Sequence, residues 1–188
     1  MKFTTKELVL GGMFAAVLAV ISQLSIPMPT GVPITIQMFG VTLIGVVLGW
    51  RLGLLSVITY ILLGAVGLPI FANFRGGFSV LVGLTGGYIW AWPILTVLAG
   101  LRPNTGNPRT NMILVSLSSL VGLAAVELIG GLQWAALSGD MTFGAVFAYS
   151  MVAFVPKDII ITIIAVVLGI PMRKLLGTAA LPQTKLRA

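Results

Sequence analysis

Gly67 to Trp92 reads GLPIFANFRGGFSVLVGLTGGYIWAW, which is not a plain membrane segment. Two double glycines, Gly76-Gly77 and Gly86-Gly87, bracket an apolar run that is short for a bilayer crossing. Pro69 ends the helical pattern before it. Phe71, Asn73, Phe74, Arg75 and Tyr88 then mix apolar surface with hydrogen-bonding groups. Glycine pairs let a backbone bend sharply or approach a neighbour closely. Two readings follow. The stretch is a lid over a small-molecule pocket, since long loops in compact domains are often functional, or it is an ordinary connection between two helices.

On either side of this stretch the chain is a series of long apolar runs. With 58% hydrophobic and 8% charged residues, its 188 residues read as an integral membrane protein, and the mean hydropathy of +1.12 agrees. That length allows about six crossings of roughly 20 residues each, within a single transmembrane domain over 1–188. The runs are continuous rather than alternating in segments of about ten residues, which selects an all-α bundle over a barrel. Lys2 and Lys6 precede the first run as in a signal peptide. That run reaches Ile26 with no small-residue cleavage site followed by polar sequence, so a retained first helix is expected. A pI near 10.4 would suggest nucleic acid in a soluble protein; here the basic residues lie in loops and termini, and no nucleic-acid partner is expected. The lack of cysteine and histidine excludes disulfides, thiol chemistry and the commonest metal ligands.

The apolar runs predict helices near 7–26, 36–49, 53–68, 84–100, 111–137 and 152–174, with a long outer loop between the third and fourth. An N-terminus on the inner side would place Lys2, Lys6, Arg51, Arg102, Arg109, Arg173, Lys174, Lys185 and Arg187 inside, nine of the eleven basic residues. Arg75 and Lys157 remain outside, so the positive-inside rule favours both termini in the cytoplasm.

In the first run Gly11, Ala15 and Ala19 recur at spacings of four, a pattern that lets another helix pack closely. The neighbour is either a helix of the same bundle or another subunit. The first outer loop, Pro27 to Gln37, carries three prolines that forbid a regular helix. Its Thr30, Thr35 and Gln37 offer uncharged hydrogen-bonding groups to a ligand, or simply tie a tight connection. The basic connector Arg102 to Asn111 divides the chain into two halves without a convincing repeat, which gives an inverted-repeat transporter little support.

Ionisable residues inside a membrane are costly and point to function. Glu127 in the fifth run lies roughly 24 Å up from Asn111 at about 1.5 Å per residue, past the midplane. Lys157 and Asp158 open the sixth run, which descends from outside, and Tyr88 opens the fourth. All four depths agree. Bland alternatives stand beside this: Asp158 at a helix N-terminus next to Pro156, and Lys157 snorkelling to the interface. Glu127 needs a partner such as Lys157 or a ligand group. Trp134, about two turns further on a similar face, is an aromatic wall or part of an interfacial belt, and Trp90 and Trp92 invite the same choice. No G-x-x-x-x-G-K-[ST] occurs, so ATP is not bound by a P-loop. No nucleophile–base constellation stands out, which argues against an enzyme, and no cofactor or metal is expected.

VPITIQ at 32–37, GLPIFA at 67–72, the GG…LxGxTGGY pattern from Gly76 to Tyr88, Trp134-Ala135 and the FxPxD element from Phe154 to Asp158 occur in order. Together they resemble the biotin-specific S-component family (BioY) of energy-coupling factor (ECF) vitamin transporters, over nearly the whole chain. Two departures are visible. Leu84 stands where the family's LxGPTGGY has proline. The family's FxPGDxxK has glycine at Lys157 and lysine at Ile161, so the aspartate carries over to Asp158 but the lysine does not carry over by position. The resemblance implies a six-helix bundle in a prokaryotic cell membrane that captures biotin from outside under a cap of the first and third loops. It implies that Ala15 and Ala19, with Gly11 beside them, dock on a transmembrane coupling protein (T-component) joined to two cytoplasmic ATPases. Against biotin, Phe71, Phe74, Tyr88 and Trp134 would supply an apolar wall. Asp158 would accept from the ureido N–H groups, with Asn73, Gln37 or Lys157 at the ureido carbonyl and Arg75 or Lys157 at the carboxylate. Thr35 and Glu127 complete the candidate set. The competing functional reading is a stand-alone secondary transporter of biotin or a related vitamin, with Glu127 as a proton carrier.

Overall fold

A computed structural model describes residues 3–139 and 141–179. Lys2, Lys185 and Arg187, used above for orientation, lie outside the described residues. The described chain is mostly helical: α1 Thr5–Ser22, α2 Gln37–Leu48, α3 Trp50–Ala65, α4 Phe78–Leu81, α5 Gly86–Ala99, α6 Pro108–Leu137, α7 Phe143–Ala153 and α8 Val155–Ala179. Between α1 and α2 a two-residue strand β1, Ser25–Ile26, pairs antiparallel with β2, Ile34–Thr35.

Local chemistry sets the ends of these elements. Thr4 and Glu7 form a reciprocal capping box that starts α1, with the Thr4 backbone N–H donating to Glu7 Oε2 at 2.7 Å. Asn107 caps α6 by accepting from Arg109 N at 2.9 Å, and Pro108 fills the first turn, where a missing N–H does no harm. Gly49 alone turns the chain between α2 and α3 at φ 80°, and Arg102 Nη2 donates to the Leu48 carbonyl there at 3.1 Å.

α2 is the central helix: every residue but Phe39 is buried. A helix apolar all round belongs inside a bundle. Close approach to it requires glycines on its neighbours; a Cβ on Gly169 of α8 would meet Val46 and Leu43 of α2. Around this centre, α1, α6 and α8 are each long and apolar enough to cross a membrane, while α2, α3, α5 and α7 are shorter apolar helices. The outward faces of α1, α3, α6 and α8 carry exposed Leu, Val, Ile and Met. In water such a surface would aggregate; it suits a membrane protein.

Several expectations need correction. The predicted runs fall on α1, α2, α3, α5, α6 and α8, but α4 and α7 were not anticipated. α7 is 11 residues long and falls largely in the connection before the sixth predicted run; the break at Phe154 that parts it from α8 stands two residues before Pro156, which suits the first turn of a new helix. The first run ends at Ser22, because Ser25 and Ile26 enter β1. The third ends at Ala65, ahead of Gly67 at φ 109°.

The Gly11–Ala15–Ala19 stripe lies largely inside the bundle. Gly11 and Ala15 are covered within this chain: Ser56 Oγ of α3 donates to the Gly11 carbonyl at 2.8 Å, and Ala15 belongs to the core. Ala19 is half-buried. The residues α1 turns outward are instead Gly12, Met13, Ala16, Val17 and Val20. Close packing by small residues is used here inside the bundle.

Candidate functional site

A cavity, partly open to solvent, lies at the end of the bundle where α1 finishes. Six parts of the chain converge on it. The β2 region gives Val32, Pro33 and Thr35, and the first turn of α2 gives Gln37 and Met38. The segment between α3 and α4 gives Phe71, Ala72 and Arg75; α5 gives Tyr88, Ile89 and Trp92; α6 gives Glu127; the α7–α8 junction gives Phe154, Lys157 and Asp158.

Glycines shape the walls. A Cβ on Gly64 would run into the Phe71 ring, and one on Gly130 into the Tyr88 ring. Each aromatic therefore lies flat on a helix that leaves it room. Phe71 also meets Tyr60 edge-on with centroids 5.6 Å apart, and Trp92 lies 5.8 Å from Tyr60, which makes one aromatic wall.

Part of the lining is charged. Lys157 and Asp158 form an ion pair at 2.5 Å, with side chains 27% and 5% exposed. The same Lys157 Nζ donates to the Thr35 carbonyl at 2.5 Å, tying β2 to α8. Glu127 is buried within electrostatic reach of both Asp158 and Lys157. Its Oε2 and Trp92 Nε1 are buried without a hydrogen-bond partner among the described residues. Buried polar atoms are ordinarily satisfied, so these two leave hydrogen-bonding capacity open at the cavity.

Gln37 lines the cavity and heads a buried hydrogen-bonded chain that runs back to Tyr60. Its Nε2 donates to Ser22 Oγ at 3.0 Å, Ser22 and Tyr60 share a hydrogen bond of 2.8 Å, and the Tyr60 hydroxyl reaches the Ile70 carbonyl at 2.7 Å.

Of the candidate residues, Thr35, Gln37, Phe71, Arg75, Tyr88, Glu127, Lys157 and Asp158 come together around the cavity. Asn73, Phe74 and Trp134 do not line it. Asn73 Oδ1 accepts from Ser25 Oγ at 2.9 Å on the surface, and Phe74 is 71% exposed. Trp134 is buried behind the cavity against Tyr149 and Phe154, with centroids 5.7 and 6.1 Å away. Trp92 and Phe154 were missed as lining residues. Trp92 follows Tyr88 by one helical turn, a spacing that puts both on one face.

Fold and cavity together define a class: a helical membrane protein with a cavity lined by aromatic rings and an ion pair. A sequence profile of the BioY family matches residues 1–178, and the chain belongs to that family. It is 40% identical over 164 residues to a probable biotin transporter BioY of Pyrococcus horikoshii, covering 87% of this chain and 94% of that protein. To the biotin transporter BioY of Thermotoga maritima it is 35% identical over 170 residues, covering 90% and 97%. It also superposes on the crystal structure of the S-component for biotin from an ECF-type ABC transporter with a TM-score of 0.77, at 27% identity, over 92% of this chain and 95% of that one.

Proposed function

We propose that the protein is the biotin-binding S-component of an ECF-type ABC importer. It captures biotin from outside the cell, while a separate T-component with two cytoplasmic ATPases supplies the energy. The protein does no chemistry on its ligand; it binds and delivers it. In this reading α1, α2, α3, α5, α6 and α8 make six crossings of a prokaryotic plasma membrane, both termini are cytoplasmic, and the cavity faces outward. The absence of a P-loop from the sequence suits a subunit energised by others.

The observation that carries the reading is a single cavity lined by both the Lys157–Asp158 pair and aromatic rings. Biotin has an apolar fused ring with a ureido group at one end and a carboxylate at the other. Phe71, Tyr88 and Trp92 supply the surface for the ring. Asp158 accepts from the ureido N–H groups, and Lys157 or Gln37 donates to the ureido carbonyl. Arg75, at the exposed rim, meets the carboxylate as a charged partner. Titration of the purified protein with biotin, followed by heat or tryptophan fluorescence, tests this directly. Tight one-to-one binding without ATP is expected; thiamine and riboflavin should not bind. No binding in a folded preparation would overturn the assignment.

The buried carboxylate of Glu127 favours one competing mechanism, a proton-driven carrier that works alone. Proteoliposomes separate the two: uptake that needs the T-component and ATP supports the S-component, and uptake driven by a pH gradient without them supports the carrier.

A further inference from the structure

We infer that Gln23, the residue that closes α1, is the clasp that holds the segment 70–75 over the cavity and so sets how long biotin is retained. This rests on the reading of the cavity as the biotin site. Gln23 does not line the cavity, so it acts as a positioning residue.

The amide of Gln23 engages this segment at three points. Its Nε2 lies 3.2 Å from both the Ile70 and Phe71 carbonyls, and its Oε1 accepts from the Phe74 backbone N–H at 2.9 Å. Nε2 also donates to the Ala19 carbonyl at 3.0 Å, which locks the side chain to its own helix. Its two N–H groups are thus shared among three carbonyls while its oxygen takes a backbone donor, a use of all its polar atoms. Ser25 Oγ adds a neighbouring tie to Asn73 at 2.9 Å.

The segment needs holding. Asn73 and Phe74 sit at φ 58° and 55°. Asparagine tolerates this left-handed region, but a bulky residue such as Phe adopts it only when its surroundings impose it. Packing does not impose it on Phe74, whose side chain is largely exposed. The bond that the Phe74 N–H donates to Gln23 Oε1 holds it from outside the turn, whose own backbone is closed by the Phe71–Arg75 bridge. On the same short stretch Phe71 N donates to the Arg75 carbonyl at 2.9 Å, and Phe71, Ala72 and Arg75 line the cavity. Release of Phe74 to an ordinary φ would therefore swing the cavity's own wall outward. The expected signature is faster escape of the ligand with little change in its capture.

The experiment uses the full chain in detergent, loaded with radiolabelled biotin and chased with unlabelled biotin. Gln23→Leu should release biotin roughly tenfold faster, with association little changed. Adding Phe74→Gly to Gln23→Leu should restore slow release, because glycine takes a positive φ without strain; a side chain that merely stabilised the fold would show no such rescue. A folded Gln23→Leu protein that releases biotin at the wild-type rate overturns the clasp, and so does fast release that Phe74→Gly leaves unchanged. If Gln23→Leu does not fold, hydrogen exchange in the wild type decides. A surface-located Phe74 amide that exchanges slowly, and more slowly with biotin, supports the clasp; rapid exchange overturns it. Failure of the wild type to bind biotin at all would instead overturn the functional reading.

Discussion

Lys157 of α8 donates to the backbone carbonyl of Thr35, 122 positions away, at 2.5 Å. The same ammonium is paired with Asp158. One side chain thus fastens β2 to α8 and neutralises the carboxylate beneath it. Lys157→Met should lower thermal stability by about 1–3 kcal/mol, because it leaves Asp158 buried and unpaired. The joint change Lys157→Met with Asp158→Asn should cost less than the sum of the two single changes. Thermal unfolding of the four proteins in one detergent measures this; strict additivity would mean the pair does not interact.

Asp158→Ala, in a protein that still folds, should weaken biotin binding by roughly tenfold or more, since it leaves ureido donors unpaired in a buried site. Equilibrium binding checks this, and unchanged affinity would remove Asp158 from the site.

Arg75→Ala should weaken biotin by roughly tenfold, the worth of a charged hydrogen bond. Biotin methyl ester, which lacks the charge, should bind the variant and the wild type alike. Equal losses for acid and ester would place the carboxylate elsewhere.

Two adjacent glycines of α6 make a paired test. A Cβ on Gly130 would enter the Tyr88 ring, whereas one on Gly131 has nothing nearer than 3.9 Å. Gly130→Ala should cost about 1–3 kcal/mol of stability by overpacking and should reduce biotin affinity as Tyr88 is displaced. Gly131→Ala should be neutral or slightly stabilising, because alanine is the better helix former by up to about 1 kcal/mol.

α1 offers a similar contrast. A Cβ on Gly11 would stand 3.3 Å from Leu52, and one on Gly12 meets nothing within 4 Å. Gly11→Leu should destabilise the purified protein, while Gly12→Leu should leave folding and biotin binding intact. If the outward face of α1 meets the T-component, Gly12→Leu should lower only the uptake that depends on that module.

Much of this was legible in the residues themselves. Continuous apolar runs fall on α1, α2, α3, α5, α6 and α8, of which α1, α6 and α8 are long enough to cross a membrane. Charges and polar residues stranded in those runs led to Glu127, Lys157 and Asp158, since their burial demands a reason. Hydropathy says nothing about which way a loop residue faces. Phe74 looked like a wall and is turned out to the surface by a left-handed backbone that no residue type announces. Trp134 shares a helical face with Glu127, yet Phe154 stands between it and the cavity, and that depends on the angle of α8. Gly11 and Ala15 carry a packing pattern without naming the partner, which here is largely α3 of the same chain.

α2 is 12 residues long, about 18 Å of helix against roughly 30 Å of hydrocarbon, and is walled in by its neighbours. Such a segment is a poor candidate to settle in a bilayer unaided. Its lining includes Gly169 of α8, more than a hundred residues downstream in synthesis. The middle of the molecule is therefore made early and sealed late. A chain cut short before α8 would leave Val46 and Leu43 of α2 without the neighbour that covers them.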